Sequence, residues 1–222
     1  MKAEWGRRVS GAFIKLSRLG VQGVPAQRKP RPFVAGCGVC PDVHTMPATR
    51  RVMLIRHAEE PDKGAGILGV DESGHPDAEA LSVRGWQRAG ALAGLFTACA
   101  GHGAAYRPLA PPMAVFAATD AGKSRRPLCT VQPLARRLGL EVDTRFGSED
   151  ALAPMLAAVL ACRGPVLVCW RHQTMGDVAQ ALCGGPARRW DAARFDLVWV
   201  FERQGGAWQL TELPQRLLAG DG

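Results

Sequence analysis

Two dipeptides of the same kind, Arg56-His57 and Arg171-His172, each follow a short apolar run, "VMLI" and "GPVLVCW". Between them in sequence lies a basic loop, "GKSRRP", carrying Lys123, Ser124, Arg125 and Arg126. A guanidinium offers a planar fork of donors that suits phosphate. A neutral imidazole can attack phosphorus and carry the phosphoryl group as a covalent intermediate, and a second imidazole can donate to a nonbridging oxygen as charge builds. These residue types at strand ends therefore predict an anion site, provided the fold brings the three segments together. Taken singly, each has a plainer reading. His57 caps a strand, Arg56 pairs with Glu59 or Glu60, Arg126 is a solvated helix-start arginine, and His172 is a satisfied core histidine. Arg171 is expected to point away from the site, because neighbouring strand residues face opposite sides. The same alternation separates Arg56 from His57 unless the strand has ended by then. His44, His75 and His102 are expected to be bystanders.

The elements that would position these residues alternate from residue 51 onward. Strand-like runs occur at 51–55, 113–119 and 164–170, and a closing pair of strands, "FDLVWVFER" and "GAWQLTEL", meets at Gly205-Gly206. Between them, Ser82 can cap a helix over "VRGWQRAGALAGLF", with Val83, Trp86, Ala89, Ala93 and Phe96 at helical spacing. Further helices are predicted over "PLCTVQPLARRLGL", over 148–162 with Ser148 as cap, and near 174–183. Residues 64–80 read as a surface loop, and the 62–80 and 99–112 loops are expected to wall the site. This alternation is the pattern of an α/β fold, a three-layer sandwich with a mostly parallel central sheet and helices on both faces. In such sheets ligands bind beyond the carboxyl ends of the strands.

These motifs resemble the histidine phosphatase superfamily, with its phosphoglycerate-mutase-like fold. "LIRHA" is similar to the family's strand ending in Arg-His-Gly, with Ala58 in the glycine place. "LSVRGWQRA" approximates the opening of the next helix, "RPLCTVQPLARRLGL" matches the segment of the second arginine with Arg126 and Thr130, and "VLVCWRHQTM" looks like the site of the second histidine. The resemblance spans residues 51 to about 185, with its elements in the family's order. It implies His57 as phosphoryl acceptor, Arg56 and Arg126 as phosphate clamps, and His172 as the second histidine of the pocket. The basic loop adds Lys123, Ser124 and Arg125 as substrate contacts. For the proton donor, mutase-like members point to Glu149 or Asp150; Glu59, Glu60 and Asp62 are further contenders, and the position after the second histidine holds Gln173. Ala58 adds a methyl group beside the nucleophile, which is tolerable where φ is negative and damaging where it is not.

Composition bounds the rest. The 222 residues are 47% hydrophobic, enough to bury a substantial core in one domain. The net charge of +8 belongs to residues 1–51, which hold ten of the 28 Lys/Arg and two of the 20 Asp/Glu, so the body is neutral. Residues 1–50 form a basic, weakly ordered leader and 51–222 the catalytic domain. Lys15 and Arg18 interrupt the leader's one signal-like apolar stretch, and no run of about 20 apolar residues spans a membrane. A basic amphipathic segment at 11–22 is an alternative that would touch nucleic acid or an acidic membrane. Seven cysteines, an odd count with four in apolar runs, suit reduced thiols and a cytoplasmic location. Cys37, Cys40 and His44 fall short of the four ligands of a closed zinc site. The tryptophans of the body fit core packing better than a base-stacking platform.

The resulting expectation is a metal-independent, cofactor-free phosphomonoester hydrolase acting on a small phosphorylated substrate through a phosphohistidine at His57. The alternatives are a phosphoglycerate-mutase-type phosphotransferase and a non-catalytic phospho-ligand-binding module.

Overall fold

A computed structural model describes residues 49–97, 104–119, 124–147 and 151–222. The leader up to residue 48, with Cys37, Cys40 and His44, lies outside the described residues. So do Lys123, the expected cap Ser148, and both Glu149 and Asp150.

Six strands form one mixed sheet in the order β5-β4-β6-β1-β7-β8. These are β1 (Arg51–Arg56), β4 (Ala114–Ala117), β5 (Val142–Asp143), β6 (Val166–Trp170), β7 (Leu197–Gln204) and β8 (Ala207–Pro214). A separate two-residue pair, β2 (Gly69–Val70) with β3 (Leu81–Ser82), shapes the loop that follows β1. The pairings β1–β6, β6–β4 and β4–β5 are parallel, and β1–β7 and β7–β8 are antiparallel. The sheet is thus mostly parallel, as the alternating pattern predicts.

Strand β1 shows why the sandwich has three layers. It is buried on both faces, and its side chains alternate between two cores. Val52 and Leu54 join α3 (Leu152–Ala161) and α4 (Met175–Cys183) through Met155, Val159, Met175 and Val178. Met53 and Ile55 join α1 (Val83–Thr97) and α2 (Arg126–Leu138) through Leu92, Phe96, Val131 and Leu134. A continuous apolar run is what a strand covered by helices on both sides requires. The hairpin closes where expected, with Gly205 and Gly206 at φ +58° and +92°, the left-handed pair that a two-residue hairpin turn demands. The tryptophans pack: Trp190 and Trp199 lie 5.0 Å apart between ring centroids, and the Trp86 indole N–H donates to the Val70 carbonyl.

Helix α1 starts as the capping pattern predicts, with Ser82 Oγ accepting from the Gly85 amide at 3.1 Å. Gly85 is needed there, since a Cβ would sit 2.3 Å from the Glu59 carbonyl oxygen. The buried stripe of α1 keeps Ala89, Ala93 and Phe96 of the expected one and departs from it at the start. Val83 is 60% exposed, and the inward residues are Gly85, Arg88, Ala89, Leu92, Ala93, Leu95 and Phe96. The stripe is widened by Gly85, Leu92, Leu95 and an inward Arg88. Its guanidinium, 2% exposed, bonds Glu59 at 2.8 Å, Asp221 at 2.7 Å and Gln215 at 3.0 Å. The residues before the C-terminus are thereby tied to the segment that follows His57. Burial alone would raise the Asp221 carboxyl, but bonds from Arg88 and from the Leu217 and Leu218 amides outweigh it and hold the group at about 2.

Replacing Arg88 by Met leaves the enclosed Glu59 and Asp221 carboxylates with the half-exposed Arg84 as their remaining cation among the described residues, so Arg88→Met is expected to lose about 3 kcal/mol in urea denaturation at pH 7. In the wild type, the Asp221 contribution is present above its ordinary value of 3.8 and is lost as pH falls towards 2. The stability gap between the two proteins therefore narrows as pH falls from 3.8 towards 2.

Candidate active site

Parallel strands β1, β4 and β6 end at the same edge of the sheet, and a cleft of about 420 Å³ opens there. His57 follows β1, Ala118 and Thr119 follow β4, and Arg171, His172, Gln173 and Thr174 follow β6. Ser124, Arg126 and Pro127 enter from the start of α2, Leu152 from α3, Asp177 from α4, and Glu60 from the loop after β1. The two Arg-His segments and the basic loop therefore do converge.

His57 lies one residue past the end of β1, so strand alternation does not bind it to either core. Its Nδ1 sits 2.8 Å from the carbonyl oxygen of Ala58. A carbonyl only accepts, so this contact places the proton on Nδ1 and leaves the lone pair on Nε2. Burial pushes the imidazole down to about 4; the Ala58 contact opposes this, and the positive charge of Arg56 adds to it. At neutral pH the ring is an uncharged base.

Ala58 itself is fully buried against Leu81, Ala89 and Cys129, and it is not among the residues with positive φ. The methyl group in the glycine place is therefore accommodated without strain. Its amide donates to Thr130 Oγ1 at 2.8 Å, and that hydroxyl donates to the Arg126 carbonyl at 2.8 Å. One threonine thus joins the backbone beside the nucleophile candidate to the first turn of α2.

Arg56, 3% exposed, stands behind His57 and does not itself line the cleft. Its Nη1 donates to the Ala192 carbonyl, its Nη2 to Glu60 at 3.0 Å, and its guanidinium carbon lies 3.9 Å from the centroid of the Phe195 ring. Its Nε is buried without a partner. Arg126 donates from Nε to Ala80 and from Nη2 to Ala78, both backbone carbonyls, and its Nη1 lies 3.3 Å from Glu60. His172 is pushed below its ordinary value by burial, then by the charge of Arg56, with Glu60 opposing. The field of one arginine reaches both imidazoles.

Of the basic-loop residues, Ser124 and Arg126 line the cleft, whereas Arg125 is turned to an ion pair with Asp77. Arg171 corrects the expectation from strand alternation. Because β6 ends at Trp170, Arg171 lines the cleft, and its Nη2 donates to the Thr119 carbonyl at 3.0 Å. The walls also differ from those expected, since no described residue of 62–80 or 104–112 lines the cleft. The 62–80 segment acts from behind, by supplying carbonyls to Arg126. Glu59 and Asp62 are occupied elsewhere, Glu59 with Arg84 and Arg88 and Asp62 in its own turn. Phe195 and Ala192 were not foreseen; they sit in an irregular segment just before β7 and carry no motif. Among the described residues no cluster of three or more His, Cys, Asp or Glu side chains could hold a metal ion, and no helix is long and apolar enough to cross a membrane.

No model of a known protein family and no curated protein matches the chain. Solved structures similar to it include members of the histidine phosphatase superfamily. The protein histidine phosphatase SixA complexed with tungstate is 12% identical, with a TM-score of 0.48, covering 74% of this chain and 97% of that one. Alpha-ribazole phosphatase from Shigella flexneri is 13% identical, with a TM-score of 0.46, covering 77% and 98%. Phosphoserine phosphatase from Entamoeba histolytica, in complex with 3-phosphoglyceric acid, is 15% identical, with a TM-score of 0.48, covering 77% and 100%.

In an NMR titration the His57 ring is expected to change charge near pH 4, and a midpoint at 6 or above would contradict its enclosure. Folding stability should fall as pH drops from 6.5 towards 4, because there the unfolded chain binds a proton that the folded site refuses.

Proposed function

We propose that this protein is a phosphomonoester hydrolase that works through a phosphohistidine at His57, as the family resemblance implies. The observation that carries the reading is the uncharged His57 ring, Nδ1 committed to a backbone carbonyl, in one cleft with Arg126 and His172 and backed by Arg56. A nucleophile needs its lone pair, and burial beside guanidiniums keeps a proton off it.

In this reading His57 Nε2 attacks phosphorus, the new P–N bond forms, and the bond to the leaving alcohol breaks. The alcohol departs with a proton from a carboxylic acid, for which Glu149 or Asp150 is the reading taken from the sequence. Water then attacks the phosphohistidine, giving orthophosphate and returning the imidazole. Arg56, Arg126 and His172 stabilise the charge on the nonbridging oxygens, so no metal and no cofactor enters the scheme. Ser124, which lines the cleft, is assigned to substrate contact. The substrate class is a small phosphomonoester, and the unpaired thiols of Cys129, Cys162, Cys169 and Cys183 favour a reducing, cytoplasmic setting.

Wild-type protein without added metal is expected to hydrolyse an aryl phosphate, with His57→Ala slower by on the order of 10³-fold or more. A phosphate label should be trapped on the wild type alone. Equal rates and no trapped label would leave the binding-module alternative, and return of the label to a second substrate rather than to water would mark a phosphotransferase.

A further inference from the structure

Glu60 occupies a position that the proposed chemistry does not yet use. Each of the two clamp arginines is anchored on one side by backbone carbonyls, Arg56 by Ala192 and Arg126 by Ala78 and Ala80. The remaining corner of each is turned on the same carboxylate. Glu60 Oε1 accepts from Arg56 Nη2 at 3.0 Å, and Oε2 pairs with Arg126 Nη1 at 3.3 Å. An anion thus already spans the two guanidiniums at the wall of the cleft.

The neighbouring glutamate shows that this is a particular arrangement. The Glu59 side chain is 13% exposed and locked between Arg84 and Arg88. Glu60 is 38% exposed, lines the cleft, and among the described residues has the two arginines as its hydrogen-bonding or ion-pair partners. It can turn away into solvent without opening the core. Meanwhile Arg56 is almost wholly enclosed, and a buried guanidinium without a counter-charge is costly. A carboxylate that leaves only when another anion arrives meets both demands.

We propose that Glu60 is a positioning residue: a tethered carboxylate that holds Arg56 and Arg126 at clamp spacing, keeps the seat of the phosphoryl group, and is displaced when that group binds. The inference rests on the proposed phosphatase reading and deepens it. In the empty site the carboxylate offsets one of the two guanidinium charges. An incoming phosphomonoester dianion takes its place with one charge more. After hydrolysis the returning carboxylate competes with orthophosphate and hastens its release. Every anion entering the site pays the same displacement cost, so the consequence is weaker retention of product rather than altered chemistry at phosphorus.

The test is orthophosphate binding by calorimetry, together with its inhibition of aryl phosphate hydrolysis, in wild type and Glu60→Gln. Glu60→Gln is expected to bind orthophosphate more tightly, on the order of tenfold, with a fall in KM and no rise in kcat. Glu60→Asp keeps the charge but is one methylene short of bridging both arginines, so it should fall between the two and guards against a folding defect in the amide. A merely structural role for the bridge would instead raise KM and weaken phosphate binding. Unchanged or weaker binding in Glu60→Gln overturns the proposal while leaving the phosphatase reading intact. Should neither protein bind orthophosphate, the site reading falls and takes this inference with it.

Discussion

A guanidinium enclosed at the end of a central strand needs partners from several directions. Arg56 closes β1, at the position where buried apolar residues give way to chemistry, and water does not reach it. Its charge is met by the Glu60 carboxylate, by the Ala192 carbonyl and by the face of the Phe195 ring. Each of these partners comes from a segment that is otherwise irregular, and each is fixed by the demand of one cation. The loop before β7 is held against the site for this reason. It is also secured by Asp196, which pairs with Arg194 and accepts from the Gly222 amide.

The same cation shapes the two imidazoles. His57 lies beside it in sequence and His172 lies across the cleft, and both are pushed towards the uncharged form by burial and by its field. An uncharged ring keeps a nitrogen lone pair free. Glu60 tempers the field and links it to Arg126, offsetting one of the two guanidinium charges. A second ion cluster, Arg88 with Glu59 and Asp221, sits behind the first and fixes the other glutamate of the pair. Adjacent glutamates thus serve different ends. Glu59 locks the segment into the body, and Glu60 stays at the surface of the cleft.

Much of this arrangement could be read in the amino-acid sequence because it rests on short-range pattern. The apolar runs ending at Arg56 and Trp170, the Ser82 cap and the Gly205-Gly206 turn are local signals, each with a local physical cause. The β5 strand and the β2–β3 pair were missed, since two residues carry no period. The stripe of α1 is legible at Ala89, Ala93 and Phe96 but not at Arg88, because an inward arginine is invisible to a count of apolar positions. Arg171 was assigned by strand alternation, which fails where the strand ends one residue earlier.

The sequence by itself determined the alternation of strands and helices, the residues that end the central strands, and the basic loop between them. These depend on hydrophobic periodicity and on backbone preference, which act over a few residues. Only the tertiary structure decided that Glu60 rather than Glu59 answers Arg56, that Phe195 and Ala192 stand against it, and that Arg125 turns outward while Arg171 turns in. Those choices are made by charges and carbonyls brought together from distant parts of the chain, and no local pattern encodes which of several like groups will be closest once the core has closed.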